Sequence, residues 1–235
     1  MFTGLIREIG TLRRLVPGRE STRLDIRAPR TAGDLAAGDS LAVDGICLTV
    51  TGTRGEVVTV QAAVETRRVT TLRRWRIGRR VHLEPALRAG QALDGHLVLG
   101  HVDGTGRIAR VARRGDSLLM TVRCGGRLAA WLMPKGSVAV DGVSLTVDEG
   151  PHTDRFTVNL IPYTLQWTRF AQARTGDEVN LEMDVLVKAA RTGRTAEAFG
   201  ALGGADDRAA SDGKDRSIPS LAYILDRGFG RKGRS

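Results

Sequence analysis

A chain of 235 residues has room for two domains with separate cores, and its net charge of +10 raises the question of nucleic acid. The basic residues stand as scattered pairs (Arg13-Arg14, Arg67-Arg68, Arg73-Arg74, Arg79-Arg80, Arg113-Arg114), without interleaved aromatics or a nucleic-acid module, so they read as a solvated surface. No apolar run is long enough to span a bilayer, so neither nucleic acid nor membrane is an expected partner.

The chain opens Met1-Phe2-Thr3-Gly4-Leu5-Ile6-Arg7-Glu8, without the apolar stretch of a signal peptide. Its two cysteines, Cys47 and Cys124, are too few for a disulfide framework, which points to a reducing, cytoplasmic setting. Aromatic residues make up only 4% while Gly numbers 29, a balance of short strands and tight turns. Apolar and polar residues alternate through 40–44, 47–51 and 57–60, which predicts strands, with Asp44-Gly45 and Arg54-Gly55 as the turns between them. Asp-Gly suits a two-residue hairpin because both central residues must take positive φ. Short helical turns are expected at 71–75 and 128–133, with a domain boundary near Leu93. After Asp184, residues 185–199 read as an Ala-heavy helix and 200–217 as a disordered linker. Residues 218–235 read as a tail whose stripe Leu221, Ile224, Leu225 allows a short docking helix.

The strongest signal is internal. Residues 40–50 read SLAVDGICLTV and residues 137–147 read SVAVDGVSLTV, 97 positions later. Glu65-Thr66 is answered by Tyr163-Thr164 and Val81-His82-Leu83-Glu84 by Val179-Asn180-Leu181-Glu182, now 98 positions apart; Gly4 and Gly10 are answered by Gly100 and Gly106 at 96. One long period means a duplicated domain rather than a solenoid. Several short antiparallel strands per copy predict an all-β chain of two small closed barrels, since closure removes exposed edges.

A duplication kept only for structure has little reason to diverge at reactive positions, so the disagreements matter. Cys47 stands opposite Ser144, and Asp184 opposite Ala86. Taken singly each has a plain reading: a half-buried Cys is ordinary packing, an Asp after a strand is a helix cap, and Lys135 is a surface lysine. His96 and His101 flank an apolar run with no third ligand at metal spacing, so no metal is expected.

Taken together, MFTGLI at the start, the two VDG-containing stretches, GHVDGTG at 100–106 and Ile161-Pro162-Tyr163-Thr164-Leu165 resemble riboflavin synthase of the α-chain type over residues 1 to about 188. The resemblance implies two tandem six-stranded Greek-key barrels, 1–93 and 94–184, a C-terminal helix that assembles a homotrimer, and association with lumazine synthase. It implies a cofactor-free reaction in which two molecules of 6,7-dimethyl-8-ribityllumazine exchange a four-carbon unit. The products are riboflavin and 5-amino-6-ribitylamino-2,4-pyrimidinedione. One substrate plays two unlike roles, which two similar but unequal pockets suit, and in the family the working site lies between the N-terminal barrel of one subunit and the C-terminal barrel of another. Carried over by motif, the first pocket comprises Gly4, Leu5, Ile6, Cys47, Leu48, Thr49 and the strand Gln61, Ala62, Ala63, Val64, Glu65, Thr66. The second comprises Gly100, His101, Val102, Lys135, Ser144, Leu145, Thr146 and Ile161, Pro162, Tyr163, Thr164, Leu165, Gln166. Cys47 and Ser40 are expected near the acceptor lumazine, and His101 and Asp184 in the proton transfers from the acidified methyl group; the identity of the nucleophile stays open. A non-catalytic lumazine or flavin carrier of the same fold, and a paralogue acting on another pteridine, remain as alternatives. Arg67, Arg73, His82, Pro85 and Tyr163 depart from the family pattern and bear on the pocket rims, and the stretch 188–198 lacks the family's apolar helix.

Overall fold

The alternation read from the sequence closes into two barrels, and the computed structural model describes residues 1–192. The expected helix beyond residue 192, the linker 200–217 and the tail 218–235 lie outside the described residues. The first repeat contains β1 (Glu8–Pro17), β2 (Ser21–Arg27), β3 (Ser40–Val43), β4 (Ile46–Arg54), β5 (Val57–Ala63), helix α1 (Val64–Val69) and β6 (Arg80–Pro85). The second contains β7 (Gly104–Arg114), β8 (Ser117–Arg123), α2 (Gly126–Ala129), β9 (Ser137–Val140), β10 (Val143–Glu149), β11 (Arg155–Leu160), α3 (Pro162–Trp167) and β12 (Glu178–Met183), followed by α4 (Val185–Thr192). Around each ring the order is the same, β1-β2-β5-β4-β3-β6 and β7-β8-β11-β10-β9-β12, every pairing antiparallel. The return of β2 beside β5 makes a Greek key of strands β2 to β5.

Period-two burial fills each barrel. Leu12, Leu24, Ile26, Leu41, Leu48, Val50, Val58 and Val60 form the first core, and Ile108, Met120, Val122, Val138, Leu145, Phe156, Val158 and Phe170 form part of the second. The Asp44-Gly45 turn joins β3 to β4 with φ of 46° and 77°, and Asp141-Gly142 repeats it at 44° and 78°, as the hairpin chemistry predicts. Two local expectations shift. The β4–β5 loop is Gly55-Glu56 rather than Arg54-Gly55, because only Gly55 takes positive φ and β4 runs on through Arg54. The helical turn expected at 128–133 starts earlier, at Gly126, and its regular part ends at Ala129. The turn expected at 71–75 is a 3₁₀ turn over Thr71–Arg74, capped by Thr70.

The barrels meet about a pseudo-twofold axis. The two Asp-Gly turns sit back to back so closely that a Cβ on Gly45 would lie 2.6 Å from the Gly142 nitrogen, and one on Gly142 2.7 Å from that of Gly45. Phe2 and Val98, themselves equivalent, exchange both backbone hydrogen bonds and pack with Ala42 and Ala139. Beside the turns, Asn180 donates to the Asp44 carbonyl at 2.8 Å and accepts from the Thr71 N–H at 2.9 Å. His82, its counterpart, donates from Nδ1 to the Asp141 carbonyl and accepts at Nε2 from the Arg169 N–H, both at 2.9 Å. The departure at His82 thus concerns this buried joint and not a pocket rim, because a neutral imidazole reproduces the donor and acceptor of the amide. Burial lowers the His82 pKa to about 4, against the pull of Asp44. Burial pushes Asp141 up to about 7, opposed by its ion pair with Arg169, while Arg169 and Arg79 overcome the burial of Asp44 and hold it below the usual range.

Candidate active site

Each repeat begins with a short extended segment ahead of its barrel, and these segments cross over. The carboxylate of Glu84 on β6 accepts from the N–H groups of Thr3 and Gly4 at 2.7 and 3.0 Å, and Glu182 on β12 accepts from Leu99 and Gly100 at 2.7 and 2.9 Å. So anchored, Gly4 lies against the other barrel: the Ser144 N–H donates to the Gly4 carbonyl at 2.8 Å. Likewise the Cys47 N–H donates to the Gly100 carbonyl at 2.9 Å. Both glycines have positive φ, 79° and 77°, and a Cβ on them would fall 2.6 Å from Ser144 Cβ and 2.5 Å from Cys47 Cβ, so the contact admits only glycine. Burial drives the Glu182 pKa up to about 7 and raises that of Glu84, while the backbone donors pull each down.

The crossover corrects the composition of both pockets. One groove is lined by Gly4, Leu5, Ile6, Arg7 and Arg30 of the first repeat with Val143, Ser144, Tyr163, Thr164, Trp167 and Thr168 of the second. The other is lined by Ile46, Cys47, Glu65, Thr66, Val69 and Thr70 of the first with Gly100, His101 and Val102 of the second. Gly4-Leu5-Ile6 therefore belongs with Ser144, and Gly100-His101-Val102 with Cys47, the reverse of the grouping made within each repeat. The linings correspond by duplication, Ser144 to Cys47, Tyr163 to Glu65, Trp167 to Val69 and Thr168 to Thr70, so the seats share a backbone and differ in side chains.

Other expected residues divide by the pleat. Leu48, Leu145 and Ala62 point into the barrel cores, whereas Cys47 and Ser144 are half-buried at the grooves and Thr49, Thr146, Gln61 and Ala63 face outward. Val64, Ile161, Pro162 and Gln166 are exposed and Leu165 half-buried around α1 and α3, outside the two linings. Ser40 sits on a β3 rung opposite Thr49 and lines neither groove. Lys135, at φ 61°, is turned to Asp148 at 2.8 Å, again away from both. Asp184 caps α4 through a 2.9 Å bond from the Leu186 N–H.

One residue was set aside in the sequence. His96 Nδ1 lies 2.7 Å from Ser144 Oγ, half-buried beside the first groove. Burial depresses its pKa while the nearby Asp184 pulls it back up, so it is a neutral base near neutral pH with a carboxylate at hand. Ser144 and His96 thus meet from β10 and the inter-barrel connection, with Asp184 at the end of β12 acting on His96 through its charge and making no ion pair with it within 4.0 Å, whereas His101 is exposed in the other groove. Only spatial proximity reveals the set, since the three are dispersed along the chain. Among the described residues no group of three metal-ligating side chains is assembled.

A closed pair of duplicated antiparallel barrels with two corresponding grooves, each combining apolar walls with hydroxyl and charged side chains, has the make-up of a small-molecule binding protein. The lumazine binding domain model matches residues 3–86 and 99–184, and the chain belongs to that family. It is similar to the riboflavin synthases of Brucella abortus (39% identical, covering 80% of this chain and 95% of the relative), Bacillus subtilis (39%, 80% and 87%) and Mycobacterium tuberculosis (40%, 80% and 95%). Among solved structures its fold is shared with LumP complexed with 6,7-dimethyl-8-(1'-D-ribityl) lumazine (TM-score 0.70, 21% identical, 78% of this chain and 99% of that one) and with riboflavin (0.71, 23%, 78% and 99%).

Proposed function

We propose that this chain is a riboflavin synthase, converting two molecules of 6,7-dimethyl-8-ribityllumazine into riboflavin and 5-amino-6-ribitylamino-2,4-pyrimidinedione by transfer of a four-carbon unit. The supporting observation is the pair of corresponding but chemically unequal grooves, together with similarity to riboflavin synthases over four-fifths of the chain. The two products contain the atoms of two substrates, so the reaction needs no oxidant or added group. Holding the two rings against each other removes roughly 7–11 kcal/mol of the entropic barrier to their encounter.

In this reading the Ser144 seat receives the lumazine whose 7-methyl group gives up a proton. Ser144 Oγ takes that proton as its own passes to the neutral His96, and Asp184 favours the imidazolium that results. The Cys47 seat holds the partner lumazine, with the thiol beside the ring. The barrel domains are assigned as 1–93 and 94–184. Bringing the Ser144 seat of one chain to the Cys47 seat of another makes the working enzyme a homotrimer, with α4 and its exposed Leu186 at the helix that assembles it. Free thiols at Cys47 and Cys124 accord with a cytoplasmic protein. Association with lumazine synthase, which would supply the substrate, belongs to the same reading.

The test is to incubate the full chain with the ribityllumazine alone and follow riboflavin absorbance. Riboflavin and the pyrimidinedione accumulating one to one support the enzyme. Tight binding without turnover makes the chain a carrier, and neither binding nor turnover points to another pteridine.

A further inference from the structure

We propose that Asp103 and Lys188 are positioning residues for the Cys47 seat, fixing the segment 99–103 that carries His101 and Val102 into that groove. The inference rests on the reading of this groove as a lumazine seat, and deepens it.

The segment is pinned on both sides of the residues it presents. Ahead of His101, the Leu99 and Gly100 N–H groups bond to Glu182, and the Gly100 carbonyl accepts from Cys47. Val102 packs against the core of the first barrel. Beyond it, the Asp103 N–H donates to the Leu181 carbonyl at 2.9 Å, and the Asp103 carboxylate accepts from the Met183 N–H at 2.7 Å. Lys188 Nζ reaches both oxygens of that carboxylate from α4, at 3.0 and 2.9 Å. The two side chains are only 25% and 26% exposed, so the pair is shielded from much of the screening that weakens a surface ion pair. One carboxylate thus ties the end of β12, the segment and α4 together.

The duplication shows what this tie replaces. Thr3 precedes Gly4 as Leu99 precedes Gly100, and Thr3 gives Glu84 a hydroxyl at 2.8 Å besides its N–H. Leu99 has no hydroxyl to give Glu182. The Arg7 N–H donates to Leu83 as that of Asp103 does to Leu181, so the first segment ends in a cation where the second ends in a carboxylate. Among the described residues no helix lies between β6 and β7 to bring a lysine toward Glu84, whereas α4 follows β12 directly. The rung of β9 opposite Glu182 is Ala139, so the charged groups acting on Glu182 are Lys188 from α4 and Asp103 ahead of β7, with the Cys47 thiol beyond Gly100. Burial puts the Glu182 pKa at about 7; Lys188 favours its ionised form and Asp103 opposes it. Ionised, Glu182 offers an acceptor oxygen to each N–H. Protonated, one oxygen becomes a donor and the hold on Leu99 or Gly100 weakens.

The test is titration calorimetry of the full chain, from about pH 6 to about pH 9, with an unreactive ribityllumazine lacking the 7-methyl group. Lys188→Met should weaken one class of site about two- to fivefold near neutral pH, the worth of a partly exposed ion pair, while the other class binds as in the parent and shows the chain is folded. Lys188→Arg, which keeps the charge, should restore the affinity. Thr3→Val, which takes the matching hydroxyl from Glu84, should weaken the other class instead. In the parent, affinity of the Lys188-dependent class should fall as pH drops through about 7; Lys188→Met should move that fall to higher pH and Asp103→Asn to lower pH. Equal losses in both classes, no restoration by arginine, or pH profiles that stay put or move together overturn the inference and leave the proposed function standing. A parent that binds no lumazine overturns both.

Discussion

Replacing Gly100 by Ala should damage the molecule far more than the addition of one methyl group implies. At φ 77° an L-residue pays about 1–2 kcal/mol of backbone strain. The new methyl carbon would stand 2.5 Å from Cys47 Cβ and 2.8 Å from the Cys47 nitrogen, so the leading segment must lift from β4. Lifting breaks the 2.9 Å bond from the Cys47 N–H to the Gly100 carbonyl and strains those from Leu99 and Gly100 to Glu182, at about 1 kcal/mol or more each. The sum is roughly 3–5 kcal/mol, a large share of the 5–15 kcal/mol that holds a typical domain. Gly78→Ala is the matched control, because φ is 89° there but nothing lies within 4 Å of the added carbon; only the strain should appear. Urea unfolding of the parent, Gly100→Ala and Gly78→Ala measures the difference. If Gly100→Ala loses no more than Gly78→Ala, the crossing segments do not dock as described.

Ser144→Ala and His96→Gln should each lower the rate of riboflavin formation about 10²–10⁴-fold with little change in lumazine affinity, measured by steady-state kinetics alongside equilibrium binding. Equal turnover in both variants and the parent would remove the pair from proton transfer. His82→Asn should resist acid better than the parent. The folded pKa of about 4 lies below the ordinary 6.5 of a histidine, so the stability this neutral imidazole carries is full above pH 6.5 and lost as pH falls toward 4. An asparagine, which the equivalent Asn180 shows can make the same bonds, does not titrate, so the variant should retain about 3 kcal/mol more than the parent at pH 4 relative to pH 7.5. Unfolding midpoints that move in parallel for both proteins would show that His82 is not the group being charged.

The fold was legible because its signals are local or repeated. Asp44-Gly45 and Asp141-Gly142 encode their hairpins in their own φ values, and the alternation of β5 states which side chains enter the core. The duplication gave the second barrel from the first. The grooves were legible in content and not in grouping. Sequence similarity links Gly4 to Gly100 and Cys47 to Ser144, which invites the pairing of Gly4 with Cys47 inside one repeat. The crossover depends on Glu84 and Glu182 reaching more than 80 positions along the chain, and no local pattern carries that. His96 was missed for the same reason: a lone histidine acquires chemical meaning only when Ser144, 48 residues away, comes within 2.7 Å. His82 read as a rim substitution because the alternation says it is buried without saying that a second barrel covers it.

Titration calorimetry of the full chain with a ribityllumazine lacking the 7-methyl group, which cannot lose the proton and so cannot react, counts the seats. Two molecules should bind per chain with distinct affinities, the weaker class differing from the tighter because Cys47, Glu65 and Val69 replace Ser144, Tyr163 and Trp167. Saturation at one molecule per chain, or two indistinguishable sites, would contradict the picture of paired and unequal seats built from both barrels.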